Sequence, residues 1–217
     1  MAHYTEYPVL FISGIDTDAG KTYATAWLAG QLAEKGLSVA TQKFIQTGCE
    51  GASEDIEKHR QLLGSKPLPE DLDGTTAPII LSYPASAQLA ARIDGVELDL
   101  SVIEASTARL TERYDRVLIE GAGGLLVPVT DTYTTADYVA AKGLPMVLVT
   151  NGRLGSINHT LLSLEAIRSR GITLAAVIYN QYFDRDATIA ADTHDFIGRY
   201  LERNFPEAAY LTMPALN

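Results

Sequence analysis

The stretch FISGIDTDAGKTYATAWL, residues 11–28, passes from an apolar run through a glycine-bearing loop into a helical pattern. PVLFISG (8–14) has the composition of a strand buried on both faces. GKTYATAWLAGQLAEKG then carries Ala24, Trp27, Leu28, Gln31 and Leu32 at helical spacing, with Gly36 suited to a C-cap. A strand, a tight turn and Gly-Lys-Thr at the mouth of a helix make converging backbone N–H groups the central feature of the loop.

Such a loop is built to hold a phosphate. In GIDTDAGKT (14–22), Gly20 lets the backbone approach an anion, Lys21 reaches the terminal phosphates, and Thr22 offers a hydroxyl to Mg²⁺. The general pattern has four residues between its first glycine and Gly-Lys-Ser/Thr. Here five separate Gly14 from Gly20, and Ile15 stands at the expected glycine.

Outward from this loop, short apolar runs alternate with helical patterns. LSVATQK (37–43) reads as a strand, and SEDIEKHRQLLG as a helix capped by Ser53 and ending at Gly64. Residues 65–83, with Pro67, Pro69, Pro78 and several aspartates, read as a long surface connection. SAQLAARIDG and SVIEASTARLTERY are predicted helices; DRVLIEGAGG (115–124) and LPMVLVTNG (144–152) are predicted strands ending in glycine. Helix 156–170, strand TLAAVIYN (173–180), helix 186–204 and a strand near 208–212 complete the chain. Strands separated by helices need crossovers, so the expectation is one α/β domain over residues 1–217. Its mostly parallel sheet is covered by helices on both faces, and ligands bind beyond the carboxyl ends of the strands.

The chain has 217 residues, 47% hydrophobic and 20% charged, with a net charge of −10. That acidic balance disfavours nucleic acid and anionic membrane as partners, since both need a basic face. Cys49 is the sole cysteine, so there is no internal disulfide and no cysteine-based metal site. His3, His59, His159 and His194 lack metal-ligand spacing and read as surface or capping residues. The first residues have no basic n-region or long apolar run, which points to the cytoplasm.

Two further sites support the phosphate reading. In RVLIEGAGG, Glu120 ends a strand before a glycine-rich turn, where a Mg²⁺ ligand is needed beside the loop. In TQKFIQTG, Lys43 ends the neighbouring strand, within reach of a phosphoryl group or else in solvent.

Together these stretches resemble the dethiobiotin synthetase family, ATP-dependent carboxylases with a P-loop NTPase-like three-layer sandwich fold. The family loop, Gly-x-Asp-Thr-x-x-Gly-Lys-Thr, has the same five-residue gap, and GIDTDAGKT matches every fixed position. Lys43, Thr47, Gly48, Asp55, the EGAGG turn, Pro128 and Asp131-Thr132 fit further family positions. LGSINHT (154–160) resembles the segment that presents a helix N-terminus at a dimer interface, and YNQ (179–181) the adenine-contacting strand end. Phe44 departs from the proline that usually follows the active lysine, and the chain stops soon after LTMPAL, where several relatives continue.

The resemblance implies that 7,8-diaminopelargonic acid captures CO₂ as a carbamate, which attacks the γ-phosphate of ATP. The second amine then closes a cyclic urea and expels phosphate. Lys43, Lys21 and Thr17 are the implied catalytic residues. The nucleotide site would comprise Asp18, Ala19, Gly20, Lys21, Thr22, Tyr23, Asp55, Glu120, Gly121, Ala122, Gly123, Asn180, Gln181, Met213, Pro214 and Ala215. Thr22, Asp55 and Glu120 would hold Mg²⁺, Thr47 would bind the diamine substrate at its carbamate, and Gly155, Ser156, Ile157 and Asn158 would bind its remote carboxylate from the partner subunit of a homodimer. Two rivals share the fold. A partitioning ATPase would carry a lysine where Asp16 stands, and a cobyrinate-type amidoligase would add a glutaminase domain.

Overall fold

The computed structural model describes residues 4–216, so His3 lies outside the described residues. In chain order the elements are β1 (Val9–Gly14), α1 (Lys21–Ala33), β2 (Val39–Lys43), β3 (Gln46–Thr47), α2 (Glu54–Leu63), α3 (Pro69–Leu72), β4 (Ile80–Leu81) and α4 (Ala87–Asp94). They continue with α5 (Ser101–Thr111), β5 (Arg116–Gly124), α6 (Thr135–Ala141), β6 (Met146–Asn151), α7 (Ser156–Ser169), β7 (Leu174–Asn180), α8 (Ala187–Asn204) and β8 (Ala209–Met213).

Six strands form one parallel sheet in the order β2-β5-β1-β6-β7-β8, and β3 pairs with β4 in a separate parallel ribbon. The alternation along each strand explains the two covered faces. On β1, Leu10 and Ile12 join Leu118 of β5 and Ala24, Leu28 and Leu32 of α1 in one core. Phe11, pointing the other way, joins Val117, Ile119, Ile103 of α5 and Leu164 of α7 in the second core. The chain leaves β1 for β2 on one side and reaches β6 on the other, so the carboxyl end of β1 lies at a topological switch point, the usual position of a ligand crevice in such sheets.

Local signals hold at several element ends. Ser53 Oγ accepts from Ile56 N–H at 3.2 Å to cap α2, and Gly64 closes that helix in the left-handed region. Elsewhere the structure departs from expectation. α1 stops at Ala33, three residues before Gly36, and Trp27 is only half-buried at the margin of its core.

The segment 65–83 is not a surface connection. It contains α3 and β4, and Glu70, Thr75, Thr76, Ala77, Ile79 and Leu81 are buried. Of its aspartates Asp73 is exposed, but Asp71 faces inward and takes Arg60 Nε and Nη2 at 2.8 and 2.9 Å, Leu68 N–H at 2.7 Å and the Thr76 hydroxyl at 2.8 Å. Lys43 N–H donates to the Thr76 carbonyl at 2.7 Å, which ties the segment to the end of β2. His59 likewise is no surface residue, being fully buried.

Helix α6 has no counterpart in the sequence reading and rests on a reciprocal cap. Thr134 Oγ1 accepts from Asp137 N–H at 3.3 Å, while the Asp137 carboxylate takes the Thr134 N–H at 2.8 Å. The Thr134 hydroxyl, the Thr134 N–H and Arg170 together depress the Asp137 pKa to about 2. Its contribution to stability is therefore complete above the ordinary carboxylate pKa and lost as pH falls through about 2. Asp137→Ala is expected to cost about 1 kcal/mol at neutral pH in urea unfolding, with the gap to wild type closing as pH approaches 2.

Candidate functional site

The loop between β1 and α1 is shaped by a left-handed turn. Gly20 has φ 90° at the N-cap of α1, and Asp18 has φ 29°. A Cβ on Gly20 would collide with the Asn180 amide nitrogen. That amide braces the loop from the end of β7. Its Nδ2 donates to the Ala19 carbonyl at 3.3 Å, and its Oδ1 accepts from Tyr182 N–H at 3.0 Å. Lys21 begins α1 nearly buried, its Nζ donating to the Asp16 carbonyl at 3.2 Å.

Beside the loop, the register between β2 and β5 sets Lys43 opposite Glu120. Lys43 Nζ donates to Glu120 Oε1 at 2.9 Å and to the Gly121 carbonyl at 3.2 Å, and forms an ion pair with Asp55. Thr22 Oγ1 lies 3.0 Å from both Asp55 Oδ1 and Glu120 Oε1. The other Glu120 oxygen sits 2.6 Å from His59 Nε2.

Burial opposes charge throughout this cluster, yet the pairing wins where partners are close. Burial alone would raise the Glu120 pKa, but Lys43 and His59 hold the carboxyl far below the usual range. The Lys43 ammonium is also penalised by burial, and Glu120 with Asp55 more than compensate, raising its pKa. Lys21 has no carboxylate in contact, so burial dominates and lowers its pKa.

The Thr22 hydroxyl stands 3.0 Å from an oxygen of each of the Asp55 and Glu120 carboxylates, a hard oxygen set that fits Mg²⁺. Among the described residues no cluster of three or more His, Cys, Asp or Glu forms a metal site. Two carboxylates suffice for Mg²⁺, which takes its other ligands from phosphate and water.

A cavity of about 410 Å³ opens over this cluster. Of the sequence-predicted residues, Thr17, Asp18, Gly20, Lys21, Thr22, Tyr23, Lys43, Thr47, Asp55, Glu120, Ala122, Gly123, Asn180 and Met213 line it. Ala19 and Gly121 are buried behind the wall, and Gln181, Pro214 and Ala215 face outward. Gly155, Ser156, Ile157 and Asn158 do not border it. They form the start of α7, where the Ser156 hydroxyl is spent on Asn151 Oδ1 at 2.6 Å.

Sequence reasoning missed Ile45, Gln46, Tyr182 and Phe183 in the lining, and His59 and Arg60 behind it. One signal for His59 was present: Asp55 and His59 are four apart on a predicted helix and so share a face.

The parallel sheet and the braced loop define a phosphate-loop nucleotide protein, and the family described as AAA domain matches residues 9–205. Two solved structures share the fold at low identity. The signal recognition particle receptor FtsY of Elizabethkingia anophelis gives a TM-score of 0.53 at 16% identity, covering 94% of this chain and 58% of its own. A putative plasmid partition protein of Borrelia burgdorferi bound to AMPPNP gives 0.51 at 15%, covering 96% and 87%. Much nearer in sequence is an ATP-dependent dethiobiotin synthetase of Pasteurella multocida, 47% identical with 96% of this chain and 98% of the relative covered. That of Chlorobaculum tepidum is 53% identical, covering 94% and 86%. The chain belongs to the ATP-dependent dethiobiotin synthetase family, enzymes of the ligase class.

The left-handed Gly20 yields a direct prediction. Gly20→Ala is expected to weaken nucleotide binding at least tenfold by calorimetry, because a Cβ there is strained by about 1–2 kcal/mol and also displaces the Asn180 brace. Wild-type affinity would contradict the role given to the loop.

Proposed function

We propose that this chain converts 7,8-diaminopelargonic acid, CO₂ and ATP to dethiobiotin, ADP and phosphate, a step of biotin biosynthesis, at the cavity between the phosphate loop and the ends of β2 and β5. The observation that carries the reading is the meeting of Lys21, Lys43, Thr22, Asp55 and Glu120 beside one loop. A carbamate approaching a triphosphate brings anions together, and this reaction needs cations more than it needs a nucleophilic side chain.

In this reading Lys21 and the N–H groups of Gly20, Lys21 and Thr22 receive the phosphates. Thr22, Asp55 and Glu120 hold Mg²⁺, which supplies charge neutralisation on the phosphate oxygens. Lys43 turns from its carboxylates to the carbamate and the transferring phosphoryl group, balancing the charge of the anhydride until the second amine closes the ring. Thr17 and Thr47 donate hydroxyl hydrogen bonds to these oxygens. Tyr23, Ala122, Gly123, Asn180 and Met213 wall the nucleotide, and Tyr182 and Phe183 add aromatic surface on the base side.

The remote carboxylate of the diamine is assigned to the start of α7, Gly155 to Asn158, contributed by a second copy in a homodimer. Support comes from the exclusion of this segment from its own cavity and from the outward side chains of Leu154 and Leu162, 86% and 61% exposed. With the Ser156 hydroxyl committed to Asn151, the free N–H groups of the first turn carry the binding. No helix among the described residues is long and apolar enough to cross a membrane, and a cytoplasmic setting accords with this chemistry.

Incubation of the protein with diaminopelargonate, bicarbonate, ATP and Mg²⁺ should yield the cyclic urea by mass spectrometry. ATP hydrolysis indifferent to the diamine would favour a nucleotide switch instead. Lys43→Ala should reduce kcat by about 10²–10³-fold while ATP binding changes little. Because the substitution leaves Glu120 buried without its cation, a stability loss of about 3–5 kcal/mol is expected alongside. Equal loss of nucleotide affinity would contradict the assignment of Lys43 to the reacting anions.

A further inference from the structure

Behind Glu120 runs a chain of buried hydrogen bonds that the reaction does not itself require. Asp71 receives Arg60 at two points, 2.8 and 2.9 Å, and Arg60 Nη1 reaches Thr41 Oγ1 at 2.9 Å. Thr41 Oγ1 is 3.0 Å from His59 Nδ1, and His59 Nε2 is 2.6 Å from Glu120 Oε2. His59 and Thr41 are fully buried, and Arg60 nearly so.

The chemistry of the end groups fixes the outer bonds. A guanidinium only donates, so Thr41 Oγ1 accepts from Arg60. The same oxygen faces His59 Nδ1 on its other side. The ionised Glu120 carboxylate can only accept, so His59 Nε2 carries the proton and donates it. The imidazole is thereby held at both ring nitrogens, which fixes its orientation. Glu120 Oε2 is taken up by this bond, while Oε1 accepts from Thr22 and Lys43.

We propose that His59 is a positioning residue for the divalent cation, its Nε2–H holding Glu120 so that Oε1 is offered to the metal. Arg60 and Asp71 anchor the arrangement to the segment containing α3. This rests on the assignment of Mg²⁺ to Thr22, Asp55 and Glu120. His59 does not touch the substrates; it acts through Glu120, in the manner of partners that orient metal ligands.

The test uses Mn²⁺ as a paramagnetic probe, titrated into the protein with and without AMPPNP and followed by electron paramagnetic resonance. Wild type should bind Mn²⁺ more tightly with the analogue; failure to bind it at all would overturn the metal assignment and this proposal with it. His59→Leu should weaken Mn²⁺ binding by about 10–100-fold, with metal-free affinity for AMPPNP unchanged. His59→Gln, which retains a donor at similar reach, should recover most of the loss. Wild-type Mn²⁺ affinity in His59→Leu, or no recovery in His59→Gln, would overturn the positioning role while leaving the metal assignment intact. Should His59→Leu fail to fold, Thr41→Val breaks the same relay one bond away and should weaken Mn²⁺ several-fold; unchanged affinity overturns the proposal.

Discussion

An ionised carboxylate with almost no access to water sits at the centre of this fold. Removing such a group from solvent costs several kcal/mol even after the protein relaxes, and Glu120 is tolerated because three donors surround it: Lys43, Thr22 and His59. Each comes from a different element. β2 delivers Lys43 through the strand register, the start of α1 delivers Thr22, and one face of α2 delivers His59 together with Asp55. The sheet order makes this possible, since β5 lies between β1 and β2 in space and thus carries Glu120 between the two loops that supply its partners.

How much of this was legible depended on the distance over which the information is spread. The phosphate loop was readable because strand, turn and helix are contiguous and each has its own local signal. Lys43 could be read as a strand end, whereas Glu120 lies inside β5, which runs on through the glycines to Gly124; their pairing spans 77 positions and depends on a register that no local pattern encodes. His59 was misread because its spacing was judged against the other histidines rather than against Asp55. Proline and aspartate content made 65–83 look solvated, whereas Asp71 works inward as the acceptor for Arg60 and two backbone-adjacent donors. α6 escaped because seven residues hold too few helical turns to establish a period, and its definition lies in the cap formed by Thr134 and Asp137.

Phe44, the departure from the family's usual proline, has a physical account. Its N–H donates to the Glu120 carbonyl at 2.8 Å, extending the contact of β2 with β5 by a bond that proline could not make. Its ring packs between Phe11 and Tyr138, with centroids 5.4 and 4.8 Å away. The residue after Lys43 is thus held by a hydrogen bond and a core contact, where a proline would rely on its restricted φ.

The Asn180 brace links the crown of the phosphate loop to a strand two places removed from the one that launches it, with β6 intervening. Neighbouring strands in any sheet stand about 4.8 Å apart, so the span from β1 to β7 is dictated by backbone ladders rather than by side-chain choice. The mouth of the anion cradle is in effect calibrated against the pitch of the sheet. Its width can therefore survive extensive change in the surrounding apolar residues, provided the two ladders keep their alignment.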